Sequence, residues 1–160
     1  YGFPLSLALI DLDHFKQIND EYGHAGGDEV LQIYSKNILS IFRHHDLVAR
    51  YGGEEFAVLL PNTDAEGSLR ALTKVKNRGL ETRWQAKGDM VQVPTFSSGV
   101  SRYKPGETAS AFIERADKAL YRAKQLGRNR VEMDETYQSD SDSDMLDKRV
   151  QGAERWRGES

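Results

Sequence analysis

The stretch DLVARYGGEEFAVLL, Asp46–Leu60, decides the fold. Its two apolar runs, DLVARY and EFAVLL, flank Gly52 and Gly53, and this composition predicts two strands joined by a tight primed-type hairpin turn. Glu54 and Glu55 follow the glycines at the mouth of the second strand. Taken alone, such a pair reads first as a solvated strand end, because exposed glutamates on hairpins are common. What they do depends on what the rest of the chain brings to them.

Upstream, LSLALIDLD (Leu5–Asp13) is apolar on both faces and predicts a covered strand. Asp11 follows Leu5, Leu7 and Leu9 at period two, so it shares their face at the strand's carboxyl end. Asp13 is placed to cap a short helix whose Phe15, Ile18 and Tyr22 fall on one side, with Gly23 as its stop. After GHAGGD, the residues Leu31, Tyr34, Ile38 and Ile41 recur at helical spacing and predict a second helix to about Phe42.

Downstream, Pro61 ends the hairpin and Asp64 to about Leu80 carries a weaker helical pattern, followed by a charged stretch around Gly88. MVQVPTFSSGVSRY alternates as a strand, with Pro94 favouring an edge or bulge. Ala109–Lys124 has a helical stripe of Phe112, Ala116, Ala119, Leu120 and Ala123, closed by Gly127, and NRVEM is a last short strand. The expected order is β-α-α-β-β-α-β-α-β, an α+β fold with helices outside a sheet. From Asp134 the composition turns acidic and serine-rich, which predicts a flexible tail over 134–160 beside a folded unit over 1–133.

The 160-residue length fits one domain with a sizeable core. A net charge of −3 gives no broad basic surface and argues against a duplex nucleic-acid partner, although a single nucleotide needs only a few local cations. The chain has no cysteine, which excludes disulfides and thiolate metal sites. Its apolar runs are too short to span a bilayer. The N-terminus opens directly into a strand-like segment without a leader pattern, as expected for a piece of a longer polypeptide.

Four segments, DLDHFKQIND (11–20), GHAGGDEVL (23–31), RYGGEEF (50–56) and ADKALYRAKQLGRN (116–129), together resemble the GGDEF family of diguanylate cyclases, in its GGEEF form. The resemblance runs from the first strand to about Val131. It implies a central, mostly antiparallel sheet flanked by helices, related to nucleotidyl cyclases and the polymerase palm. It also implies condensation of two GTP molecules into cyclic di-GMP with loss of two pyrophosphates. By this resemblance Asp11, Glu54 and the backbone carbonyl of Leu12 hold Mg²⁺, with Mn²⁺ as an alternative, and Glu55 assists deprotonation of the 3′-hydroxyl. Mg²⁺ takes one or two protein carboxylates and leaves the rest of its shell to phosphate and water, which suits this set. Asn19 and Asp28 match the guanine-reading positions. Lys16, Lys124 and Arg128 match phosphate contacts, although cations at a helix end are also favoured by the dipole. Gly52 and Gly53 leave room for substrate near the backbone. His24 and Gly23 shape the turn between helices.

Arg43 and Asp46, an RxxD just upstream of the signature, fall at the family's product-inhibition spacing. Arg grips phosphate bidentately and stacks on guanine, while Asp accepts from the base. A second arginine, Arg70 or one from another subunit, is expected to complete that pocket. The resemblance further implies a homodimer for catalysis, a fused upstream sensor or receiver domain, and a cytoplasmic location, with some parent proteins anchored in the membrane. In two places the chain differs from the family pattern. It starts after the usual helix carrying DxLTGLxNRR, which helps close the nucleotide pocket. FSSGV (Phe96–Val100) also has a serine where an aliphatic residue is typical, which bears on core packing. The rivals are a non-catalytic sensor of cyclic di-GMP or GTP, and a mononucleotide cyclase.

Overall fold

The structure is a computed structural model that describes residues 3–134. Ten elements follow in chain order: β1 (Leu5–Leu12), α1 (Phe15–Ile41), β2 (Leu47–Arg50), β3 (Glu55–Pro61), α2 (Ala65–Glu81), β4 (Arg83–Ala86), β5 (Asp89–Gln92), β6 (Phe96–Arg102), α3 (Ala109–Gln125) and β7 (Val131–Met133). Five strands form one sheet in the order β2-β3-β1-β6-β7, antiparallel except for the β6–β7 pair. The strands β4 and β5 form a separate hairpin.

Alternation along β1 sorts the core into two layers. Ala8, Ile10 and Leu12 join the larger cluster, with Val30, Leu31, Tyr34 and Ile38 of α1 and Leu72 and Val75 of α2. Leu7 and Leu9 face the other way, onto Phe112, Ala116 and Leu120 of α3. Helix α3 lies close on β6 because Gly99 has no side chain. A Cβ there would overlap the Ala116 carbonyl and the Leu120 backbone.

Local chemistry starts α2 and α3. The Asp64 side chain accepts from the Gly67 N–H (2.8 Å), and Thr108 accepts from the Ala111 N–H (3.1 Å). The first helix is capped differently from expectation. His14 occupies its N-cap with φ 57° and no side-chain cap bond. Asp13 is instead buried, where its carboxylate finds three donors, the Thr95 and Ser97 hydroxyls and the Asn129 N–H, in place of the helix N–H a cap would supply. Gly23 does interrupt the helix, with φ 74° and ψ 174°, but the chain resumes helix at once, so GHAGGD is helical rather than a loop. Gly26 and Gly27 serve close approach instead: a Cβ on the first would overlap Tyr22, and one on the second Asn19.

Two further expectations are corrected. The primed turn is not at Gly52-Gly53, since only Gly52 has positive φ (82°) and the Tyr51 N–H bonds the Glu55 carbonyl (2.7 Å) across a wider loop. Positive φ at two successive turn positions occurs at Lys87 (51°) and Gly88 (85°), so the charged stretch folds as the β4–β5 hairpin. The single strand expected across Pro94 is split into β5 and β6, because proline supplies no N–H to a ladder.

The serine in FSSGV does not disturb packing. Ser98 is fully buried, and its hydroxyl donates to the Leu9 carbonyl (2.8 Å). The tail expected over 134–160 lies, apart from Asp134, outside the described residues. Asp134 itself is buried and bridges to Arg115 at 2.7 Å.

Candidate active site

The carboxyl end of β1 and the start of β3 lie side by side, with Asp11 directly opposite Glu55 in the antiparallel register. Directly opposed residues share a face, so Glu55 lies on the side of the sheet that α3 covers. Glu54 sits one residue before β3, where the pleat has not begun, and the Leu12 N–H reaches its carbonyl (3.3 Å). Leu12 and Glu54, two of the expected donors, are thus backbone neighbours. From α3, Lys124 pairs with Asp11, whose side chain is only 7% exposed.

The electrostatics match this crowding. Burial pushes the Glu54 carboxyl above its ordinary range, the Asp11 charge adds to that, and Lys124 opposes it. Glu55 is raised by burial and then by Asp11, with Lys124 opposing and with smaller contributions from Asp117 and Glu54. Three carboxylates therefore share one lysine, an arrangement that favours a further cation. Among the described residues no three His, Cys, Asp or Glu side chains converge closely enough to cage an ion by themselves. A hard cation takes carboxylate and carbonyl oxygens and fills the rest of its shell from phosphate and water, so an ion at Asp11 and Glu54 would draw on donors beyond these side chains.

Arg128 lies just past α3 in a turn where Gly127, Arg128 and Asn129 have φ of 116°, 64° and 47°. The Arg128 N–H caps the helix on the Ala123 carbonyl (3.0 Å). Lys16 is exposed in the first turn of α1. Asn19 and Asp28 flank the Gly23 kink, and the Asn19 carboxamide oxygen occupies the space a Gly27 side chain would need, beside Asp28. Gly52 and Gly53 are exposed in the loop before Glu54, with the Gly53 carbonyl held by the Arg50 guanidinium (2.8 Å).

Arg43 and Asp46 follow α1. The Arg43 N–H donates to Asp46 Oδ2 (2.8 Å), and its guanidinium donates to Thr63 Oγ1 (3.2 Å). Together they line a cavity of about 210 Å³ with Arg70 and Lys74 of α2. Asp46 Oδ1 is buried there without a hydrogen-bond partner among the described residues. Lys74 was not singled out from sequence, although its spacing four residues after Arg70 put both on one helix face. Asp117, Thr95 and Ser97 were also missed as neighbours of the site. Asp117 left a signal inside ADKALYRAKQLGRN, whereas Thr95 and Ser97 left none.

A mostly antiparallel sheet thus carries Asp11, Glu54 and Glu55 at the ends of two adjacent strands, with Lys124 of the covering helix paired to Asp11. The chain matches the family described as Diguanylate cyclase, GGDEF domain, over residues 1–130, and it belongs to that family. It is 48% identical over 128 residues to Diguanylate cyclase A of Treponema denticola, covering 79% of this chain and 34% of that protein. It is 42% identical over 132 residues to Diguanylate cyclase DgcP of Pseudomonas aeruginosa, covering 82% and 20%. The chain thus spans about a third or less of these curated relatives.

Among solved structures, the GGDEF domain of DgcB from Caulobacter crescentus in complex with c-di-GMP matches with a TM-score of 0.79 at 37% identity. That match covers 84% of this chain and 80% of the other. The active GGEEF domain of a diguanylate cyclase from Vibrio cholerae matches with a TM-score of 0.74 at 36% identity, covering 82% and 83%. No helix among the described residues is long and apolar enough to cross a membrane.

Proposed function

We propose that this chain is the catalytic domain of a diguanylate cyclase that condenses two GTP into cyclic di-GMP and releases two pyrophosphates. The observation that carries this reading is Asp11, paired with Lys124 and directly opposite Glu55 in the sheet, with the Glu54 and Glu55 carboxyls both raised by burial and then by its charge. Asp11, Glu54 and the Leu12 carbonyl would hold a divalent cation, Mg²⁺ in the first instance and Mn²⁺ as the alternative. Such an ion, when bound, offsets phosphate charge and lowers the pKa of the attacking hydroxyl.

The chain's own residues do the rest. Glu55, with its raised pKa, accepts the proton from the 3′-hydroxyl oxygen as that oxygen bonds the α-phosphorus and the bond to pyrophosphate breaks. Lys16, Lys124 and Arg128 hold the phosphates and their developing charge. Asn19 and Asp28 read guanine, since a carboxylate accepts from N1 and N2 donors that adenine does not present in that pattern. Each protomer binds one GTP, so the reaction requires two protomers face to face, each hydroxyl attacking the other's nucleotide. Use of GTP places the domain on the cytoplasmic side, with a sensor or receiver domain upstream in the parent protein.

The cavity at Arg43, Asp46 and Arg70 is the product-inhibition site in this reading. Its support is that Arg43, Arg70 and Lys74 line one cavity with Asp46, a set of cations that suits phosphate.

The test is incubation of the purified chain with GTP and Mg²⁺, separation of products by mass, and a parallel Glu55→Gln variant. Cyclic di-GMP from the parent and little from the variant is expected, with specific activity that falls on dilution. Specific activity that stays constant on dilution would overturn the dimer requirement. Absence of product with retained cyclic di-GMP binding would favour a sensor.

A further inference from the structure

Asp13 is a buried carboxylate, 3% exposed, two residues beyond Asp11, and the chemistry above gives it no part. Its Oδ2 accepts from Thr95 Oγ1 (2.7 Å) and from the Asn129 backbone N–H (2.9 Å), and its Oδ1 accepts from Ser97 Oγ (2.6 Å). Its own N–H donates to the Thr95 carbonyl (2.8 Å). A buried charge is tolerated only when its lone pairs are met, and here the donors come from the start of β6 and from the turn after α3.

That turn is unusual. Arg128 and Asn129 are successive non-glycine residues with left-handed φ, a conformation that L-residues adopt rarely and hold only when their surroundings enforce it. Asp13 holds the Asn129 N–H, while the Arg128 N–H is held by the Ala123 carbonyl (3.0 Å) and the Arg128 and Asn129 carbonyls accept from Arg130 (3.2 Å) and Lys76 (3.3 Å), so Asp13 is the contact that links this turn to β1. The carboxylate therefore ties the strand end bearing Asp11 and Leu12 to the turn bearing Arg128.

We propose that Asp13 is a positioning residue for nucleotide binding, a latch that fixes the Arg128 turn in register with the β1 carboxylate. This inference rests on the reading of Arg128 as a phosphate contact. An asparagine at 13 retains an oxygen for Thr95 and Asn129, while its amide donates to the Ser97 hydroxyl, so the latch requires acceptor geometry rather than charge.

The experiment is a double-mutant cycle on the full chain, with KM for GTP and kcat measured separately and thermal unfolding run alongside. Asp13→Ala and Arg128→Ala are each expected to raise KM about tenfold, the loss of roughly one charge-assisted contact. Asp13→Ala in the Arg128→Ala background is expected to add less than about twofold, because coupled residues are not additive. Asp13→Asn is expected to restore KM to within a few-fold of the parent. Multiplicative KM effects overturn the inference while leaving Arg128 as a contact. An unchanged KM for Arg128→Ala overturns the phosphate reading and the latch with it. If Asp13→Ala does not fold, the paired Thr95→Val and Ser97→Ala substitution is cycled against Arg128→Ala under the same criteria.

Discussion

Lys124, the penultimate residue of α3, pairs with Asp11, the penultimate residue of β1, 113 positions away in sequence. This is the point at which helix and sheet share charge, and the behaviour of the acidic cluster follows from it. Lys124→Met should weaken GTP binding by about tenfold, the value of one charge-assisted contact. It should also leave Asp11, Glu54 and Glu55 without their shared cation. Initial-rate kinetics and chemical denaturation measure the two effects.

The pH dependence of stability has a definite sign at these glutamates. Burial, then the Asp11 charge, raises Glu54 and Glu55 above their ordinary values. A carboxyl raised in the folded state contributes stability below its unfolded pKa, and that contribution is lost as pH climbs through the folded value. Without divalent cations, stability should therefore fall as pH rises through the weakly acidic range. Paired Glu54→Gln and Glu55→Gln substitutions should flatten the fall, and added Mg²⁺ should reduce it. Denaturant midpoints across about pH 4–8 test this, and a profile indifferent to both changes contradicts it.

Glu107 has the opposite sign. Burial alone would raise its carboxyl, but the Arg115 hydrogen bond, the Lys104 N–H and the charges of Arg115 and Lys104 hold it below the usual range. That stability is present at neutral pH and lost as pH falls through the depressed folded value. Arg115 also bridges Asp134 at 2.7 Å, so Arg115→Ala strands two largely buried carboxylates and should cost about 2–4 kcal/mol at neutral pH. The loss should shrink in acid, as thermal unfolding at two pH values would show.

At the proposed product-inhibition cavity, Arg43→Ala and Asp46→Ala should each weaken cyclic di-GMP binding by about tenfold or more and relieve product inhibition. Uninhibited initial rates should stay close to the parent. Calorimetry with cyclic di-GMP separates this from a general loss of fold. Binding left intact by both substitutions would remove the inhibitory reading.

Gly27→Ala tests the proposed reading of guanine by Asn19 and Asp28. The added Cβ overlaps the Asn19 carboxamide oxygen and comes within 3.1 Å of Phe15 Cζ, so Asn19 must move while the helix persists. The KM for GTP should rise several-fold, and preference for GTP over inosine triphosphate, which lacks the N2 amino group, should narrow. Competition kinetics between the two nucleotides reads this directly.

Much of the architecture was legible along the chain. Period two in LSLALIDLD put Asp11 on the Leu7 and Leu9 face, which is the face α3 covers. The α3 stripe, its closure at Gly127 and the break at Gly23 were each local chemistry, and the family resemblance rested on four segments read in order. Asp13 suits a helix cap by position, but partners 82 and 116 positions away claim its carboxylate. Gly52-Gly53 suits a primed turn by composition, but the local pairing of the Tyr51 N–H with the Glu55 carbonyl leaves a wider loop, and composition does not fix that register.

Side-chain periodicity follows from backbone geometry alone, so residue order already sets which types line up on each face. Which polar groups meet depends instead on how the elements pack. Asp13 finds Thr95 at a separation of 82 positions and Asn129 at 116. Ser98 finds the Leu9 carbonyl, and Arg43 and Arg70 come to line one cavity. A buried polar group must find its partner wherever packing places one, and no local pattern encodes that choice.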